Sequence, residues 1–172
     1  TIRYSTCPVS PALLERAMKR LDCEFYQSYG MTEMGSMVSI LFPADHLDRG
    51  LSHLNTVGRA IPGTEIRIIG EDGKPCPPGT VGEICIRGQG AMKEYYGQPE
   101  LTRAHMLDGW YFSGDMGYLD ERGYLTLSGR KDDLIISGGE NIYPSEISNV
   151  LMQIDEISEC CVFGVPDEIW GE

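Results

Sequence analysis

Apolar residues fall at Leu13, Leu14, Ala17, Met18 and Leu21, spaced to line one face of a helix. Ser10 stands before them as an N-cap and Pro11 as the first helical residue. Cys23 to Tyr26 then reads as a short strand. From Glu65 to Arg87 the period changes to two: EIRII, the turn GEDGKP, a PPGT bend and GEICIRG predict a hairpin. A second hairpin is predicted where MGYL and YLTLS flank Asp120-Glu121-Arg122-Gly123. Pro144 opens another helix, with Ile147, Val150, Leu151 and Ile154 on one face, and Cys160 to Val165 reads as a last buried strand.

The stretch YQSYGMTEMGS, Tyr26 to Ser36, has neither period and reads as a loop that holds something. The first 130 or so residues thus form a strand-rich unit with one helix, followed by the beginning of an α+β unit. About forty residues after GRKDD are too few to bury a core of their own.

Composition narrows the class. The 172 residues are 41% hydrophobic and 23% charged, as in a soluble globular protein, and 21 glycines with 10 prolines fit a turn-rich chain. A net charge of −12 argues against a broad nucleic-acid or anionic-membrane footprint, though not against a small anion held by a few placed donors. No apolar run approaches the ~20 residues of a membrane span. Six cysteines without a C-x-x-C pair read as reduced core residues of a cytoplasmic protein, and His46, His53 and His105 lack metal-ligand spacing. The chain opens on Thr1 with no initiator Met or signal-like segment and closes directly after a strand-like run, so both ends are expected to lie inside a longer protein.

Three stretches carry chemistry. In YGMTE, a loop-borne Tyr29 offers a flat face for a base, a contact worth about 1–3 kcal/mol in nucleic-acid systems. Gly30 permits close backbone approach, Thr32 supplies a hydroxyl for a phosphate oxygen, and Glu33 is a hard oxygen ligand for Mg²⁺. The same five residues also suit an ordinary polar turn. DGWYFSGD ends on Asp115, and GRKDDLIISGGENIYPSEI places Arg130 fifteen positions later. A carboxylate accepts from both hydroxyls of a ribose, and a guanidinium donates to the sugar or a phosphate, each bond worth roughly 1.5–3 kcal/mol when shielded. Taken singly, each is equally a surface ion pair worth under about 1 kcal/mol.

Together and in this order, YGMTE, GWYFSGD and GRKDDLIISGGENIYPSEI resemble the later core motifs of the adenylate-forming superfamily: acyl-CoA synthetases, carrier-protein adenylation domains and luciferases. The resemblance runs from Tyr4 to the end of the chain, with Ser148 in place of the usual final acid of the third motif. It implies an α+β fold: residues 1–131 as the β-barrel-like C-terminal part of a large AMP-binding domain, and 132–172 as the hinge and start of a small domain.

The implied activity is an ATP-dependent, AMP-forming ligase that activates a carboxylic acid as acyl-AMP and passes it to a thiol, usually coenzyme A. By matching positions, Tyr29 stacks on adenine, Thr32 contacts the α-phosphate, Glu33 holds Mg²⁺, Asp115 takes the ribose hydroxyls and Arg130 assists. Ser5 to Pro8, Gln27 and Ser28 line the base, although Thr6 and Cys7 are bulkier than the glycines usual there. Met31, Met34 and Gly35 approach the acyl group, Asp132 is the hinge, and Gly138 and Gly139 line the pantetheine tunnel, where a simple turn is the plainer alternative.

A fatty acid is the first expectation for the substrate and an aryl acid the second. A carrier-protein adenylation domain, a non-catalytic adenylate-binding module and a β-rich domain with coincidental motifs are the rivals, and the parent is allowed to be a homo-oligomer. The phosphate-gripping Gly/Ser/Thr-rich loop and the lysine that stabilises the reacting charge are absent from these residues, so the chain alone is expected not to adenylate.

Overall fold

The computed structural model describes residues 1–6, 9–47, 53–154 and 156–172. Two sheets make up most of it. In the first, β1 (Ile2–Ser5) lies parallel to β2 (Phe25–Tyr29), which continues antiparallel into β3 (Ser39–Leu41) and β4 (Arg59–Ala60). The parallel step requires a crossover, supplied by α1 (Pro11–Arg20). Ser10 caps α1 through its hydroxyl, which accepts from the Leu13 N–H, with Pro11 at the start, as the sequence predicts.

The second sheet is antiparallel, in the order β5 (Thr64–Ile69), β6 (Gly82–Gly88), β8 (Trp110–Leu119), β7 (Met106–Leu107), with β9 (Leu125–Arg130) also on β8. Both predicted hairpins are therefore present. Register shifts between Glu83 and Cys85 and between Met116 and Gly117 curl this sheet. A cluster of Met34, Val38, Val57, Ile68, Ile84, Ile86, Tyr111 and Leu125 fills the space between the sheets. The backbone also joins them: Val57 N–H donates to Leu125 O at 2.8 Å, and Leu125 N–H to Gly58 O at 2.8 Å. A side chain at Gly58 would lie 2.0 Å from Ile40 O, so only glycine lets the strands meet there.

Beyond this body, β10 (Ile135–Ser137) and β11 (Glu140–Ile142) form a separate hairpin, followed by α4 (Pro144–Leu151). The whole is α+β, as the motifs imply.

Four expectations change. Tyr26 to Tyr29 belongs to β2, not to a loop; the irregular part is Gly30 to Ser36, with a 3₁₀ turn over Thr32–Met34. The period is missing there because no residue of β2 is exposed on either face, which removes the alternation that marks a half-exposed strand. Two further helices, α2 (Pro43–His46) and α3 (Pro99–His105), join the one expected in the first 130 residues, each short and started by a proline. Cys160 to Val165 is not a buried strand: no described strand pairs with it, and Phe163 and Val165 are exposed. The apolar stripes of α1 and α4 are likewise mostly open, with Leu14 buried but Leu13, Ile147, Val150 and Ile154 exposed. No helix among the described residues is long and apolar enough to cross a membrane.

Candidate active site

Strand β2 delivers Tyr29 at its C-terminal end, where the chain turns away from the sheet. Gly30 sits at that corner, and a methyl there would lie 1.7 Å from Ser36 O. The following 3₁₀ turn presents Thr32, exposed, and Glu33, half-buried. It is braced from outside by the segment after β6: Met92 N–H donates to Glu33 O at 2.7 Å. The turn and the end of the second sheet are thereby fixed to one another.

Asp115 lies midway along β8, opposite Arg130 at the end of β9. The pairing brings the Arg130 Nη1 to 2.8 Å from Asp115 Oδ1, while the Tyr29 hydroxyl donates to Asp115 Oδ2 at 2.5 Å. Two side chains from two other strands, one 86 positions before Asp115 and one 15 after it, thus converge on its carboxylate. The Asp115 side chain is only 16% exposed and that of Arg130 54%, so the acid is held under cover and the guanidinium reaches solvent. Burial, and next the Asp115 charge, drive the Tyr29 phenol far above its usual titration range, so it stays a donor.

Ser113, which the sequence reading passed over, sets the height of Asp115. Its buried hydroxyl donates to Ile84 O at 2.7 Å and accepts the Asp115 N–H at 3.0 Å. Its signal was present, two positions before the acid in GWYFSGD. Glu83 was also missed. It accepts from Lys131 Nζ at 2.7 Å and from the Gly114 N–H at 3.3 Å, tying the 3₁₀ turn Lys131–Asp133 to β6. Asp132 is exposed within that turn.

Not every candidate joins the cluster. The side-chain oxygen of Gln27 lies 3.3 Å from the Tyr4 hydroxyl, and Ser28 is buried with its hydroxyl accepting from Arg3. Met31 packs against the core, and Met34 is in it. Cys7 and Pro8 lie outside the described residues. Gly138 and Gly139 form the two-residue turn between β10 and β11, with φ of 59° and 89°. A turn with two positive φ angles favours glycine whether or not a ligand passes.

The arrangement suits a nucleoside monophosphate. It offers an aromatic ring beside an acid able to take two sugar hydroxyls, an arginine able to reach an anion, and a second carboxylate one turn away. Among the described residues no group of three or more His, Cys, Asp or Glu forms a metal cage. Magnesium does not need one, since it binds through one or two carboxylates, substrate phosphates and water, and Glu33 fits that donor set. A surface depression of about 500 Å³ between Met37 and Pro62 and another beside Ile66 and Leu119 are not lined by Tyr29, Asp115 or Arg130.

Comparison with known proteins agrees with this chemistry. The AMP-binding enzyme family matches residues 4–96, and the chain belongs to that family. It is 44% identical over 169 residues to a fatty acid–[acyl-carrier-protein] ligase, ScoC, of Streptomyces coeruleorubidus, covering 98% of this chain and 32% of that protein. Its fold matches o-succinylbenzoate CoA synthetase (MenE) from Bacillus subtilis in complex with the acyl-adenylate intermediate OSB-AMP, with TM-score 0.88, 37% identity, and coverage of 98% of this chain and 34% of that one. The same synthetase in complex with ATP and magnesium ion matches with TM-score 0.86 and 36% identity, over 98% and 34% of the two chains. The chain therefore spans about a third of the length of these relatives.

Proposed function

We propose that the protein containing this chain is an ATP-dependent, AMP-forming acid–thiol ligase. The observation that carries the reading is the convergence of Tyr29, Asp115 and Arg130 on one point, with Glu33 on the adjoining turn. In the first half-reaction a carboxylate oxygen of the acid attacks the α-phosphorus of ATP, and the bond to pyrophosphate breaks. In the second, a thiol sulfur attacks the acyl carbonyl, and AMP leaves with the bonding electrons.

The residues divide the work. Tyr29 gives the adenine a ring to lie on, and Asp115 accepts from the ribose hydroxyls once the Tyr29 hydroxyl and Arg130 release or share its oxygens. Arg130 reaches the sugar or phosphate from the solvent side, and Thr32 donates its hydroxyl to the α-phosphate. Mg²⁺, when bound, neutralises charge on the phosphates, and Glu33 is the side chain placed to hold it. Binding energy spent on the nucleotide positions the α-phosphorus for in-line attack.

The chain divides functionally after residue 131. Residues 132–172 begin a small domain that swings about Asp132 between the two half-reactions, and Gly138 and Gly139 line the path of the pantetheine arm. The turn's exposure and the separation of the β10–β11 hairpin from the main sheets support that division.

A fatty acid is our first reading of the substrate, supported by the similarity to the fatty acid ligase ScoC. That relative also favours a second reading of the acceptor, since its name specifies an acyl-carrier-protein thiol in place of coenzyme A. An aryl acid is the alternative substrate, supported by the succinylbenzoate synthetase. A cytoplasmic setting fits the free thiols of Cys23, Cys76, Cys85, Cys160 and Cys161. Lacking the phosphate loop and the reacting-charge lysine, the 172 residues alone are inactive in this account.

Acid-dependent exchange of labelled pyrophosphate into ATP by the full-length protein tests the proposal, with fatty and aryl acids compared and coenzyme A or carrier protein added second. Exchange stimulated by one acid class supports it. No exchange with any carboxylic acid, or exchange by the isolated chain, contradicts the corresponding part.

A further inference from the structure

Glu33 does not stand alone. Its Oε1 accepts from the Tyr95 hydroxyl at 3.0 Å, and that hydroxyl lies 3.2 Å from the hydroxyl of Tyr111. Since the Tyr95 proton points at the carboxylate, Tyr111 is the donor in the second bond. Tyr111 is 5% exposed and part of the central apolar cluster, so it is an anchor fixed by packing. His105 stacks on Tyr111, with ring centroids 6.0 Å apart and planes at 26°, and meets Tyr95 edge-on at 6.1 Å. The His105 Nδ1 donates to Phe112 O at 2.9 Å, which holds the ring on β8. Tyr95 is fixed at its other end by its backbone N–H, which donates to Thr102 Oγ1 at 2.9 Å.

We infer that Tyr95, supported by Tyr111 and His105, is a positioning residue that orients the Glu33 carboxylate for a divalent cation. The inference rests on the reading of Glu33 as the cation's ligand. A glutamate on a short solvent-facing turn has three rotatable bonds, and ordering them costs affinity when the cation binds. The phenol removes part of that cost in advance by engaging Oε1. Glu33 Oε2 accepts no protein hydrogen bond among the described residues and is the oxygen left for the cation. Carboxylate ligands held by outer hydrogen bonds commonly lose tenfold or more in metal affinity when those partners are removed.

The test is made on the full-length protein with a non-hydrolysable ATP analogue, following free Mn²⁺ by electron paramagnetic resonance. Tyr95→Phe is expected to weaken Mn²⁺ about three- to tenfold. It is also expected to raise the half-saturating Mg²⁺ for adenylation by a similar factor, with nucleotide affinity at saturating Mg²⁺ unchanged. A purely structural role would instead lower the melting temperature and weaken nucleotide binding at every Mg²⁺ concentration. Unchanged Mn²⁺ affinity in Tyr95→Phe overturns the inference. Glu33→Gln separates the two levels: if it also leaves Mn²⁺ affinity unchanged, the reading of Glu33 fails; if it alone weakens binding, only the role of Tyr95 fails. Should Tyr95→Phe not fold, Tyr111→Phe takes its place, with a shift of about two- to threefold expected and no shift overturning the inference.

Discussion

The Tyr29 hydroxyl and Asp115 Oδ2 are 2.5 Å apart, so the acid proposed to take the ribose is bonded by the hydroxyl of the ring proposed to carry the base. The hydroxyl and the ring of Tyr29 therefore have opposite consequences. Tyr29→Phe keeps the stacking surface and frees one carboxylate oxygen, so AMP affinity is expected to stay level or rise a few-fold. Tyr29→Ala removes the surface and is expected to lower it about tenfold, within the range of base–aromatic stacking. Fluorescence titration of both variants with a labelled AMP analogue checks the pair; equal losses would mean that the ring contributes nothing.

Arg130 faces Asp115 at 2.8 Å but is about half exposed, which places its contribution nearer a screened pair than a buried one. Arg130→Ala is expected to weaken nucleotide binding about three- to tenfold at low salt and by less at about 0.5 M salt. Isothermal titration at two ionic strengths measures this. A loss independent of salt would assign Arg130 a shielded, direct contact instead.

Gly30 has a different kind of importance. Because a methyl there would lie 1.7 Å from Ser36 O, Gly30→Ala must move main chain, and a cost on the order of 3 kcal/mol is expected. For a chain of this size that lowers the melting temperature by about 6–12 °C. Gly97→Ala is the control: it has a φ of 68° but nothing within 4 Å, so only left-handed strain of about 1–2 kcal/mol applies. Scanning calorimetry of the two variants should separate them in that order.

His46 supplies a pH dependence outside the site. Its Nδ1 is 2.8 Å from Phe42 O and must donate there, leaving Nε2 to accept from the Tyr4 hydroxyl at 3.0 Å. Burial holds the imidazole below its ordinary titration range. The unfolded chain then binds a proton that the folded chain resists, so stability is lost as pH falls below about 6.5, the unperturbed value. A melting temperature that declines on the order of 2 °C between pH 7.5 and 5 is expected, with His46→Gln flattening that part of the slope. An identical slope in the variant would remove His46 from the account.

Much of this was readable from residue patterns, for reasons that differ by element. The hairpins of β5–β6 and β8–β9 announced themselves because each has a solvent-facing side and a turn rich in glycine and acids. Strand β1 gave no such signal, and its parallel pairing with β2 joins residues over twenty positions apart through α1. Asp115 and Arg130 were found through their side-chain chemistry and the motif resemblance; no period in the sequence predicts that they face each other across β8 and β9. Ser113, Glu83 and Tyr95 went unnoticed because their roles lie in what they touch. A buried serine that bonds two backbone groups has the same local sequence as one in an idle turn. The open faces of α1 and α4 mark the opposite limit, where a helical period correctly predicts a helix but not what covers it.

Calorimetric titration of the full-length protein with a stable acyl-adenylate analogue, wild type against Asp115→Ala, tests the nucleotide pocket most directly. Two charge-assisted bonds to the sugar at roughly 1.5 kcal/mol or more each predict a loss of at least about 150-fold. Equal affinity of the two proteins would contradict the pocket and, with it, the ligase reading.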